Sequence, residues 1–118
     1  MPSHAAELVF FHASYCGVCE RWEEEVAPIY PKTPESRTLP LRRHNVNDSR
    51  PSDLAFVRSI VYTPTFVAVE NGKEIGRIVG YINDDFFWSQ MQGLVEKVGR
   101  ETAKGAGTCP GDGLATPC

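Results

Sequence analysis

The chain has 118 residues, 42% of them hydrophobic, and 12 basic against 15 acidic side chains give a net charge of −3. That length and apolar content suit one compact domain with a single core and exclude a disordered or repeat protein. The balance lacks a basic stripe with interleaved aromatics, which argues against nucleic acid as a partner, and no apolar run approaches the ~20 residues that span a bilayer.

Met1-Pro2-Ser3-His4 lacks the basic-then-apolar pattern of a secretory leader, which leaves two expectations open: a cytoplasmic chain, or a mature form whose leader has been removed. Glu7 to His12 reads as a short strand, apolar throughout its centre, suited to a position buried on both faces. Beyond Cys16 and Cys19, the residues Cys19, Trp22, Val26 and Ile29 recur at spacings of three and four. They predict a helix running to about Tyr30, kinked at Pro28 and ended by Pro31 and Pro34. A polar loop follows, then a strand between Leu39 and Asn47 that begins after Pro40 or lies at a sheet edge. Ser52 or Asp53 is expected to cap a short helix with Leu54, Val57 and Ile60 or Val61 inward, leading into Tyr62-Thr63-Pro64.

Thr65 to Val69, the pair Asn71-Gly72, and Glu74 to Val79 give the strongest hairpin signal, since Asn-Gly supplies the positive φ angles of a tight turn. Asn83 or Asp84 opens a last helix with Phe87, Met91, Leu94, Val95 and Val98 on one face. Residues 1–98 form the predicted domain, and the Gly/Pro-rich stretch 99–118 a flexible tail carrying Cys109 and Cys118. The order β-α-β-α-β-β-α implies an α/β class with a mixed four-stranded sheet and helices on both faces.

The Cys16-Gly17-Val18-Cys19 segment lies where the first strand hands over to the first helix, beside the unpaired N–H groups of a helix N-terminus. Such a pair can be a redox dithiol, half of a zinc site or two buried cysteines, and spacing alone leaves all three open. A zinc-binding module would need Cys109 and Cys118 as its other ligands, and a C-x8-C in a Gly/Pro tail is a poor second half.

Three features together resemble the thioredoxin family over about Glu7 to Val98. Tyr15-Cys16-Gly17-Val18-Cys19 is similar to its aromatic-C-G-x-C site, Thr63-Pro64 to its cis-proline loop and Gly80 to the glycine after its last strand. The resemblance implies a thiol-disulfide oxidoreductase, with Cys16 the attacking thiol and Cys19 the resolving thiol. Tyr15, Gly17, Val18, Thr63, Pro64 and Gly80 would line the substrate site. X-Pro bonds in folded proteins are cis in only about 5–6% of cases, so residues alone leave Thr63–Pro64 trans; the resemblance reverses that expectation. It implies no cofactor beyond the Cys16–Cys19 disulfide, a protein disulfide as substrate, an upstream dithiol as electron donor, and a monomer.

Departures from the family matter as well. The buried acid that thioredoxins carry six residues before the first cysteine is Phe10 here, the usual tryptophan is Tyr15, and the usual proline between the cysteines is Val18. These shift the site toward glutaredoxin-like or specialised periplasmic members, so a deglutathionylating enzyme with glutathione as substrate is the alternative. Couples of this class span roughly −270 to −120 mV, and reduction is the expected direction. The C-G-V-C site and Gly/Pro tail also resemble the periplasmic thioredoxins of bacterial sulfur-oxidation (Sox) systems, which implies a sulfur-carrier protein as partner and a periplasmic location. His12 reads as a packing residue rather than a base, Trp22 as core, and Arg42-Arg43 as a solvated strand end with a lesser option of steering an anionic substrate. Cys109 and Cys118 are expected to close a small disulfide in an oxidising compartment.

Overall fold

A computed structural model describes residues 6–98 of the chain. The expectations for the N-terminal four residues, for the 99–118 tail and for Cys109 and Cys118 fall outside those residues.

Four strands, β1 (Ala6–His12), β2 (Leu41–Asn45), β3 (Thr65–Glu70) and β4 (Lys73–Val79), form one mixed sheet in the order β2-β1-β3-β4. β1 pairs parallel with β2 and antiparallel with β3, and β3 pairs antiparallel with β4. The two central strands are the most apolar, as burial on both faces requires. Because side chains alternate along a strand, Leu8, Phe10, Phe66 and Ala68 share one face, while Val9, Phe11, Val67 and Val69 share the other. The β3–β4 turn is Asn71-Gly72, with φ of 54° and 78°, the left-handed pair that a two-residue hairpin needs.

Helices α1 (Gly17–Glu25), α2 (Pro34–Thr38) and α3 (Asp84–Lys97) complete the element order. Trp22 and Val26 from the α1 segment and Phe87, Met91 and Leu94 from α3 pack on the Phe10 face. Asn83 caps α3, its side chain accepting the Phe86 N–H.

Two helical expectations differ from the structure. The first helix ends at Glu25 rather than Tyr30, and Pro28 lies beyond it instead of kinking it. Glu23, Glu24 and Glu25 crowd the negative end of the helix dipole with no basic residue in that last turn, and Pro28 disfavours helical backbone at Ala27. Pro31 and Pro34 then open new turns instead of closing the old one: a 3₁₀ turn at Tyr30–Lys32 and α2, capped by Thr33, where a loop was expected.

On the opposite face, the expected helix after Ser52 is only a 3₁₀ turn, Ser52–Leu54. Its β-branched Val57, Ile60 and Val61 are weak helix formers, and a segment this short cannot offset the cost of helix nucleation. Leu54 and Val57 nonetheless cover Val9, Phe11, Val67 and Val69, so that face is closed by an irregular segment.

Arg42 on β2 anchors that segment by donating to both Asp53 oxygens, at 2.8 and 3.0 Å, and to Glu7 at 3.1 Å. The hydrogen bonds from Arg42 hold the Asp53 carboxyl below the usual carboxylate range. A carboxyl whose folded pKa is lowered stabilises the fold above its unfolded pKa and loses that contribution as pH falls through the folded value. Asp53→Asn should therefore lower the thermal midpoint slightly at neutral pH, and the gap to the parent should close on acidification below the aspartate range. Phe10→Asp should be far more costly, about 3–5 kcal/mol at neutral pH for an unpaired carboxylate among buried rings. Burial would raise that carboxyl's folded pKa, so the loss should shrink at acid pH, as denaturant unfolding at both pH values would measure.

Candidate active site

β1 ends at His12, and four residues later the chain enters α1 with Cys16 as its N-cap. Cys16 has extended backbone, φ −103° and ψ 98°, and its sulfur accepts the Cys19 N–H at 3.1 Å. Cys16 and Cys19 are bridged, with their Cα atoms 5.2 Å apart. The burial is asymmetric: Cys16 is half-buried, whereas Cys19 is 4% exposed and packs in the same cluster as Trp22 and Phe10.

Tyr15 precedes the pair in left-handed backbone, φ 60°, a costly conformation for a bulky residue, and its ring is wholly exposed. Gly17 and Val18 open α1 at the surface. Facing them is the loop before β3, in which the Thr63–Pro64 peptide bond is cis and the Thr63 hydroxyl donates to the Cys16 sulfur at 3.5 Å. Gly80, at the end of β4, donates its N–H to the Pro64 carbonyl at 2.8 Å. Its φ of 85° is what makes glycine the suited residue there; a Cβ would meet no atom within 4 Å, so the constraint is backbone and not space. Every residue expected to line the site therefore lies at one end of the sheet.

Exposed apolar side chains frame that end. Tyr62, directly before Thr63, and Ile82, two residues after Gly80, are 66% and 64% exposed, and neither was among the residues singled out from sequence. Tyr62 was accessible through its adjacency to Thr63-Pro64; Ile82 had no comparable signal.

The position six residues before Cys16 is filled by Phe10, fully buried and stacked at 5.1 Å on Phe66 and 4.6 Å from Trp22. Aromatic packing occupies the place of a carboxylate. His12 sets its ring 5.3 Å from Phe10, in keeping with a packing role. Arg42 and Arg43 are both held in ion pairs, Arg42 with Glu7 and Asp53 and Arg43 with Glu23, which commits them to the scaffold rather than to an incoming anion. Among the described residues, no group of three or more His, Cys, Asp or Glu side chains converges as a metal cluster.

Residues 3–94 match the family model of a thioredoxin-like domain. The periplasmic thioredoxin SoxS of Paracoccus pantotrophus, in its reduced form, is 38% identical, with a TM-score of 0.74, covering 78% of this chain and 97% of that one. A thioredoxin of Malassezia sympodialis is 24% identical, with a TM-score of 0.57, covering 81% of this chain and 79% of that one. Oxidised mitochondrial thioredoxin 3 of Saccharomyces cerevisiae is 22% identical, with a TM-score of 0.59, covering 78% of this chain and 81% of that one. These last two show the fold alone. No curated protein matches the chain. A family match over most of the chain, a closely similar thioredoxin of nearly the same length as the matched region, and a paired C-x-x-C converge: the chain belongs to the thioredoxin-like family and is a thiol-disulfide oxidoreductase.

Proposed function

We propose that the chain reduces disulfides or mixed disulfides on a partner protein, with Cys16 attacking and Cys19 resolving. The placement of the Cys16 sulfur carries this reading: it caps α1, receives the Cys19 N–H and the Thr63 hydroxyl, and stays partly open to solvent. Once the bridge is reduced, the same donors and the positive end of the helix dipole favour a Cys16 thiolate.

That thiolate attacks one sulfur of the partner's disulfide. A Cys16–partner bond forms, the partner's S–S bond breaks, and its other sulfur leaves as a thiolate that takes up a proton. Cys19 then gives up its proton and attacks the Cys16 sulfur, releasing the partner's second thiol and closing the Cys16–Cys19 bridge. Two electrons pass to the partner, and an upstream dithiol restores them. With Phe10 in place of an acid, the position six residues before Cys16 offers no carboxylate for the Cys19 proton, which passes to solvent or to the departing thiolate.

Tyr15, Val18, Tyr62 and Ile82 offer the partner an apolar surface, and the resemblance of the cis Thr63–Pro64 loop to that of thioredoxins supports pairing of the Thr63 main chain with an extended segment of the partner. Similarity to a periplasmic thioredoxin, SoxS, across 97% of that protein's length supports action in the periplasm in a sulfur-oxidation role; a sulfur-carrying protein as the partner and a monomeric state belong to the same proposal.

Insulin reduction with dithiothreitol tests the reading. Cys16→Ser should return the rate to that of dithiothreitol alone, and undiminished activity in that variant would refute the assignment. Cys19→Ser should still attack but not resolve, retaining the partner on Cys16 as a mixed disulfide visible by mass and released by reductant.

A further inference from the structure

On the exposed side of α1, two residues after Cys19, Arg21 reaches across to the segment that follows β4. Its Nη2 donates to the Ile82 carbonyl, its guanidinium lies 5.0 Å from the Tyr81 ring centroid, and its Nε is 3.7 Å from Glu25. The Tyr81 hydroxyl completes the set by donating to the other Glu25 oxygen at 2.6 Å. Tyr81 is 7% exposed, so its ring is a firm platform, and burial together with the Glu25 bond pushes its hydroxyl up, keeping it a donor at any working pH.

The contacts continue around the site. Gly80, next to Tyr81, donates to the Pro64 carbonyl, and Thr63 donates to the Cys16 sulfur, which returns to the start of α1. Helix, 80–82 segment and cis-proline loop are thus linked into a closed circuit around the place where a partner must lie. α1 does not need Arg21 for its own attachment, because Trp22 and Val26 are already fully buried against the sheet. What Arg21 adds is a hold on a main-chain carbonyl whose own side chain, Ile82, is exposed two residues after Gly80.

We propose that Arg21, with Glu25 and Tyr81, is a positioning set that holds the 80–82 segment at the separation from Cys16 that admits a protein partner, and so sets affinity for protein disulfides. This rests on the reading that a protein disulfide docks across Tyr15, Tyr62 and Ile82. A guanidinium suits all three contacts at once, since one nitrogen donates to a carbonyl and its charge faces a carboxylate while its plane lies over a ring. A lysine at the same place meets them one at a time.

The test compares the full-length chain with Arg21→Met, Arg21→Lys and Arg43→Met. Arg43 also ties α1 to the sheet, through Glu23, but from β2, at the sheet edge opposite β4. Initial rates against insulin concentration give KM and kcat, and the reduced proteins are also reacted with 5,5′-dithiobis(2-nitrobenzoate), a disulfide too small to span the surface. Arg21→Met should raise KM for insulin about three- to tenfold while kcat and the small-disulfide rate stay within about twofold, with Arg21→Lys between it and the parent. Arg43→Met should match the parent. An unchanged KM in Arg21→Met, an equal loss with the small disulfide, or the same KM rise in Arg43→Met would overturn the proposal. A parent that reacts with the small disulfide but not with insulin would remove the docking reading, and the positioning role with it.

Discussion

The Cys19 N–H points at the Cys16 sulfur from 3.1 Å, and that contact depends on the sheet delivering the chain to the open end of α1. β1 lies between β2 and β3, apolar on both faces, so its path is held by packing from two sides. α1 is held in turn by Trp22, which packs near Phe10, Phe66 and Phe87. A rigid sheet and a buried indole therefore place one sulfur at the positive end of a helix, and one helical turn further on they bury its partner. The chemical difference between two identical side chains is a difference of position.

Phe10 gives this site its particular character. A carboxylate in its place would be surrounded by the rings of Trp22 and Phe66, with a large desolvation cost. Phenylalanine avoids that cost and adds apolar packing, but it leaves no acid at this position to take the proton of the buried Cys19 sulfur. Stability and proton transfer make opposite demands on the same buried position, and this chain meets the first. In the proposed cycle, resolution would then rely on solvent or on the departing thiolate to take up that proton.

Much of this was legible because the signals are local. The apolar strand before the cysteines, the Asn71-Gly72 turn and the periodic face of α3 each lie within a few residues, and each is present in the structure. The C-x-x-C, Thr63-Pro64 and Gly80 lie far apart in sequence, and only the family resemblance brought them together. The first helix was read too long because its apolar stripe continues through Val26 and Ile29, while the glutamates and Pro28 that stop it act through the dipole and the backbone. The segment after Ser52 carries apolar residues at helical spacing, yet buries Leu54 and Val57 without a helix. Least legible were the contacts from α1 to the segment after β4, Arg21 to Ile82 and Tyr81 to Glu25, whose partners are separated by 61 and 56 residues; only the Arg21–Glu25 pair, four apart, is local.

Asymmetry between the two thiols is the central claim, and pH-dependent alkylation measures it directly. The reduced protein would be treated with limiting iodoacetamide across a pH series and each cysteine quantified by mass spectrometry. Cys16 should react first, with an apparent pKa below the ~8.5 of a free thiol, while Cys19 stays protected in the folded chain. Equal rates at the two cysteines, preferential modification of Cys19, or a Cys16 pKa at or above the free value would contradict the account.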